Sequence, residues 1–112
     1  LCNYADELGI AEGIETALSV TQLYETSCWS VMNTAIMKVF KAPKGVKHLI
    51  VYSDHDYHGA GLSAALVCGN KNIMANNNVE KVSIRWCKEV GVDFNDLMNA
   101  GESEYNEIIL GK

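Results

Sequence analysis

"HLIVYSDHDYHGAGLSAAL", residues 48–66, decides how this chain folds. Residues 48–53 are an apolar, β-prone run that reads as a buried strand. The run stops at Asp54, His55, Asp56, Tyr57 and His58, breaks at Gly59 and Gly61, and resumes as the small and aliphatic residues of a sheet-packed helix. A strand, a polar turn and a helix in that order form half of a βαβ unit.

The same alternation extends in both directions. "ELGIAEG" (7–13) reads as a strand ending at glycine, and "IETALSVTQLYET" (14–26) as a helix with Ala17, Leu18, Leu23 and Tyr24 at helical spacing. "CWSVMN" (28–33) reads as a second strand, "TAIMKVF" (34–40) as a short helix, and "KAPKG" (41–45) as a turn, because Pro43 cannot sit in a helix interior. Downstream, "EKVSIRWCKE" (80–89) reads as a fourth strand. "GVDFNDLMNAG" (91–101) is a turn leading into a short helix, and "ESEYNEIILG" (102–111) is expected to be helical. Strands alternating with helices at these spacings imply right-handed crossovers and a mainly parallel sheet of about four strands.

At 112 residues the chain suits a single domain, 1–112, with a core of its own. It begins at Leu1 and is expected to be a piece of a longer protein. No apolar run approaches the roughly 20 residues that span a bilayer, and residues 1–9 lack a basic signal region. Cys2, Cys28, Cys68 and Cys87 form no CxxC pair, so buried reduced thiols in a cytoplasmic protein are expected rather than zinc. A formal charge of −5 argues against nucleic acid being held by the domain's overall field, and leaves metal ions or neighbouring domains to supply the attraction. Lys38, Lys41, Lys44 and Lys47 surround the turn at Pro43, a pattern suited to a phosphate backbone or to a solvated loop.

In open sheets of this type, ligands sit beyond the carboxyl ends of the strands. Glu12 follows the first predicted strand, Asp54 and Asp56 the third, and Asp93 and Asp96 the fourth. Carboxylates gathered on one rim repel each other unless a cation neutralises them, and Mg²⁺ favours oxygen donors of this kind. Asp54 and Asp56, two apart on an extended backbone, point to one side about 6.6 Å apart along the strand. Each acid also has a structural reading. Asp54 and Asp56 suit a solvated turn or a helix cap, Glu15 complements a helix dipole, and Asp93 or Asp96 suits an N-cap. His55 and His58 fit turn polarity better than metal ligation.

"AEGIETALS" (11–19), "VYSDHDYHGAG" (51–61) and "GVDFNDLM" (91–98) together resemble the signatures of the toprim domain, most closely the version in phage- and plasmid-type primases and primase–helicases. The resemblance implies a Rossmann-like, three-layer α/β fold with helices on both sheet faces. It implies that Glu12, Asp54 and Asp56 are catalytic and bind Mg²⁺ or Mn²⁺, with Asp93 and Asp96 as further metal ligands of the primase-like branch. It also implies nucleotidyl transfer making RNA primers for DNA replication. In the full-length protein the partners would be single-stranded DNA and nucleoside triphosphates, with neighbouring zinc-binding and helicase domains and no membrane. The competing readings are a toprim topoisomerase or nuclease, a dehalogenase-like phosphatase with its own Asp-x-Asp pair, and a non-catalytic docking module.

Overall fold

The structure, a computed structural model, describes residues 6–24, 27–53, 59–75, 77–89, 91, 93–101 and 104–111. Its elements run β1 (Glu7–Ala11), α1 (Ile14–Tyr24), β2 (Cys28–Ser30), α2 (Thr34–Val39), β3 (His48–Ser53), α3 (Ala60–Met74), β4 (Lys81–Trp86), α4 (Phe94–Ala100) and β5 (Asn106–Gly111). They build one sheet in the order β2-β1-β3-β4-β5. The first four strands are parallel, and β5 runs antiparallel to β4. The expected α/β fold is therefore present, with five strands rather than about four.

The additional strand replaces the helix expected at 102–111. In β5, Ile108 lies opposite Ile84 and Leu110 opposite Val82, while Glu107 lies opposite Arg85. Leu110 packs onto the core beneath α3, and Glu107 accepts a 2.6 Å hydrogen bond from Arg85 Nε. Pairing along β4 gives this short segment a ladder and a half-buried face that an isolated terminal helix would lack.

The helices form two outer layers. On one face, α2 and α3 cover a core that includes Leu8, Ile10, Leu49, Val51, Val82 and Ile84. On the other, α1 and α4 cover Ala11, Ile50 and Tyr52, with Ala17, Val20, Phe94 and Leu97 facing down from the helices. Leu8, Ile10, Leu49, Ile50 and Val51 are at most 1 % exposed, so both faces of β1 and β3 are buried. That is why their sequences read as continuous apolar runs rather than alternating ones. Cys28, Cys68 and Cys87 are buried and in no disulfide, as expected; burial pushes the Cys68 thiol up to about 12. Cys2 lies outside the described residues.

Two close approaches set the layer spacing. A Cβ on Gly9 would meet the Tyr52 ring at 3.0 Å and the Ser27 carbonyl at 3.2 Å, so only glycine lets that ring cross β1. At Gly69, in the middle of α3, a Cβ would lie 3.0 Å from Leu110 and 3.2 Å from Val82. Asn72, fully buried on α3, donates to the Phe40 and Cys68 carbonyls, both at 2.9 Å, and accepts from the Ala42 N–H at 2.8 Å. It thereby pins the turn after α2 to the third helix.

Candidate metal and nucleotide site

The strand order places a topological switch point between β1 and β3. The chain leaves β1 toward β2 through α1, and leaves β3 toward β4 through α3 on the opposite face. Crossovers that diverge in this way open a crevice at the carboxyl ends of the two strands. Ala11 pairs with Tyr52, one residue short of Glu12 on β1 and of Ser53 on β3. Glu12 thus leaves the sheet beside the strand end from which Asp54 continues in sequence.

A cleft of about 350 Å³ opens at this rim, lined by Glu12, Gly13, Ile14, Glu15, Thr16, Met32 and Asp93. Its floor is well tied down. The Ser30 hydroxyl donates to the Glu12 carbonyl at 3.0 Å, the Val31 N–H donates to the Ala11 carbonyl at 2.8 Å, and the Gly13 carbonyl accepts from the Ala17 N–H at 3.0 Å. Gly13 is therefore the N-cap of α1, and a Cβ there would meet no atom within 4 Å. The Ser19 hydroxyl, 3.0 Å from Asn95 Oδ1, joins α1 to α4 and holds the two walls together.

Of the acids singled out in the sequence, Glu12 and Asp93 are brought to the same cleft, together with Glu15. Asp93 is also the N-cap of α4. Its Oδ1 accepts the Asp96 N–H at 2.8 Å while Asp96 Oδ2 accepts the Asp93 N–H at 3.1 Å, a reciprocal capping box. Asp96 points its carboxylate back at that backbone and is not among the residues lining the cleft. Asp54 and Asp56, with His55 and His58, lie outside the described residues.

Sequence reasoning did not anticipate Thr16, Ser30 or Met32. Met32 adopts φ 76°, a left-handed conformation uncommon for a side chain of its size, and is 62 % exposed at the cleft mouth. Its N–H donates to Ser30 Oγ at 3.3 Å, so one hydroxyl contacts both the Glu12 and the Met32 backbone. The identity of Ser30 carries no motif signal; only the pairing of β1 with β2 places it there.

One residue back from the rim, Tyr52 and Arg85 anchor an aromatic cluster. Arg85, the chain's single arginine, donates from Nη1 to Tyr52 Oη at 3.0 Å and stacks 4.7 Å from the Tyr105 ring centre. Tyr52 meets Phe94 edge-on at 5.2 Å, and Tyr24 stacks on Tyr52 at 6.0 Å. Burial pushes the Tyr24 hydroxyl up to about 12 and raises Tyr52 further. Burial opposes the charge on Arg85, yet the Glu107 carboxylate and the two tyrosines hold its pKa above the usual value. These groups are committed to packing α1, α4 and β5 together.

The donor chemistry of the cleft suits a hard divalent cation. Three carboxylates, of Glu12, Glu15 and Asp93, and a threonine line it, and Met32 brings the sole sulfur among the lining residues. Among the described residues, no group of three or more His, Cys, Asp or Glu is placed to hold a metal ion. No helix among them is long and apolar enough to cross a membrane.

A family model of the toprim domain matches residues 7–103. Among solved structures, a DNA primase domain from Pseudomonas aeruginosa shares the fold, with a TM-score of 0.55 at 17 % identity over 88 % of this chain. The chain spans 30 % of that structure's length. No curated protein matches the sequence.

Proposed function

The chain belongs to the toprim domain family, and from that premise we propose that it is the metal-dependent nucleotidyl-transfer core of a DNA primase, one domain of a longer protein. The observation that carries the reading is the cleft at the β1/β3 switch point, where Glu12 and Asp93 meet. The similarity to a primase domain supports it at the level of fold.

In this reading Glu12, Asp54 and Asp56 hold Mg²⁺ or Mn²⁺. Asp93 and Asp96 add the lone pairs that capping leaves available, since a carboxylate accepting one N–H retains others. The bound ion supplies charge neutralisation of a nucleoside triphosphate and activation of the attacking hydroxyl. The chain's own contribution is positional. Gly13, without a side chain, keeps the cleft floor open for phosphate, and Ser30 fixes the backbone that carries Glu12. The substrates are single-stranded DNA and nucleoside triphosphates, and the buried cysteines, in no disulfide, suit a cytoplasmic setting.

Titration calorimetry with Mn²⁺ tests the site. The Asp54→Ala, Asp56→Ala double variant loses binding, and Glu12→Gln weakens it by about tenfold or more; unchanged affinity in the double variant sinks the metal reading. For the activity, the full-length protein makes short RNA primers on single-stranded DNA. Cleavage or relaxation of DNA through the same acids would replace primase by another toprim chemistry.

A further inference from the structure

The layer formed by α2, its following turn and α3 differs in charge from the rest of the molecule. The chain carries 14 acidic and 9 basic residues, yet no Asp or Glu falls within 27–53 or 59–79, where Lys38, Lys41, Lys44, Lys47 and Lys71 are found. Asp6 and Glu80 sit beside Lys47 through backbone contacts at the amino end of the sheet, whereas Lys41 and Lys71 share a groove with no acidic residue in its lining.

Two of these lysines, Lys41 and Lys71, line an apolar groove of about 530 Å³ together with Val67, Asn70, Met74 and Ala75. Val67, Asn70, Lys71 and Met74 are spaced i, i+3, i+4, i+7 and form one stripe along α3. Met74 is 86 % exposed and Val67 36 % exposed. The opposite wall is fixed in advance, because the buried Asn72 binds the backbone on both sides of Lys41, at Phe40 and Ala42.

We propose that this groove docks an acidic amphipathic protein segment, a helix whose apolar side chains contact Val67 and Met74 while its carboxylates meet Lys41 and Lys71. Apolar anchors at helical spacing match the stripe on α3, and opposite charge at the rim supplies orientation and encounter rate. Nucleic acid fits the groove less well. The chain's single arginine is held by Glu107 and Tyr52 on the other sheet face, and no aromatic side chain lines the groove to stack a base. This inference is independent of the metal reading.

The test uses the 112-residue chain and a fluorescein-labelled helical peptide with leucines at i, i+3 and i+7 flanked by glutamates. Fluorescence anisotropy is expected to show binding that weakens as salt rises. Met74→Glu, fully compatible with folding at so exposed a position, weakens binding by about tenfold, as does the Lys41→Glu, Lys71→Glu pair. A lysine-flanked version of the peptide regains affinity for the charge-reversed chain and binds the original chain poorly. Absence of peptide binding, or binding unaffected by these changes, overturns the proposal. So does tighter binding of a single-stranded oligonucleotide that is lost in the same variants, which would make the surface a nucleic-acid contact.

Discussion

Two glycines on β1 and at its exit have opposite reasons for lacking a side chain, and substitution separates them. At Gly9 the space is filled by the Tyr52 ring and the Ser27 carbonyl. Gly9→Ala is expected to destabilise the fold by about 1–3 kcal/mol, read as a lower urea midpoint at constant slope. At Gly13 the space is empty, and the residue caps α1. Gly13→Ser keeps a good N-cap, so stability stays within about 0.5 kcal/mol. The same variant places a hydroxymethyl in the cleft and lowers Mn²⁺ affinity. Loss of stability without loss of binding would show that Gly13 serves the fold rather than the site. Glu12-Gly13 was legible in the sequence because glutamate after a strand and before a helix is a local pattern. Met32 was not legible, because its place in the cleft depends on which strand lies beside β1.

At the scale of the element, α4 shows how one residue type can serve two ends. Asp93 closes a capping box and also lines the cleft, so the structural and functional readings of this aspartate hold together. Asp93→Ala is expected to cost about 1 kcal/mol through loss of the cap, measurable by thermal or urea unfolding. Asp93→Asn preserves the cap and should leave stability unchanged while weakening Mn²⁺ binding. Equal effects of the two variants on binding and stability would confine Asp93 to capping. The terminal segment gives the contrary lesson. "NEIILG" has neighbouring apolar residues that suit a helix face or a strand equally well. The partner decided: Ile108, Leu110 and Glu107 face Ile84, Val82 and Arg85 across β4. No local signal records that distant pairing.

Across the whole molecule, His48 links three strands. It sits on β3, with Nδ1 3.1 Å from Glu7 Oε2 on β1 and Nε2 2.7 Å from Ser83 Oγ on β4. Burial lowers its pKa from the ordinary 6.5, against the Glu7 carboxylate and with the help of the Lys81 and Arg85 charges. The neutral ring donates to Glu7 and accepts from the Ser83 hydroxyl, which satisfies both partners. As pH falls below 6.5 the unfolded chain takes up a proton that the folded chain resists. Stability is therefore full above that pH and is lost down to the lowered folded value. Urea midpoints measured between neutral and mildly acid pH should show this decline, and His48→Gln should flatten it. A slope unchanged in His48→Gln would assign the decline to other groups.

The sequence by itself determined the alternation of strands and helices, the parallel core and the positions of Glu12 and Asp93 at strand exits, because apolar periodicity and breaks between elements are local properties. It also presented Asp54 and Asp56 as a pair whose metal role stands as a proposal. Only the tertiary structure decided that the last segment is an antiparallel strand, that Glu12 and Asp93 share one cleft with Met32, and that Lys41 and Lys71 line one apolar groove. Those facts depend on strand order and register, which bring together residues dozens of positions apart, and short-range physics does not encode which of several compatible partners a segment will meet.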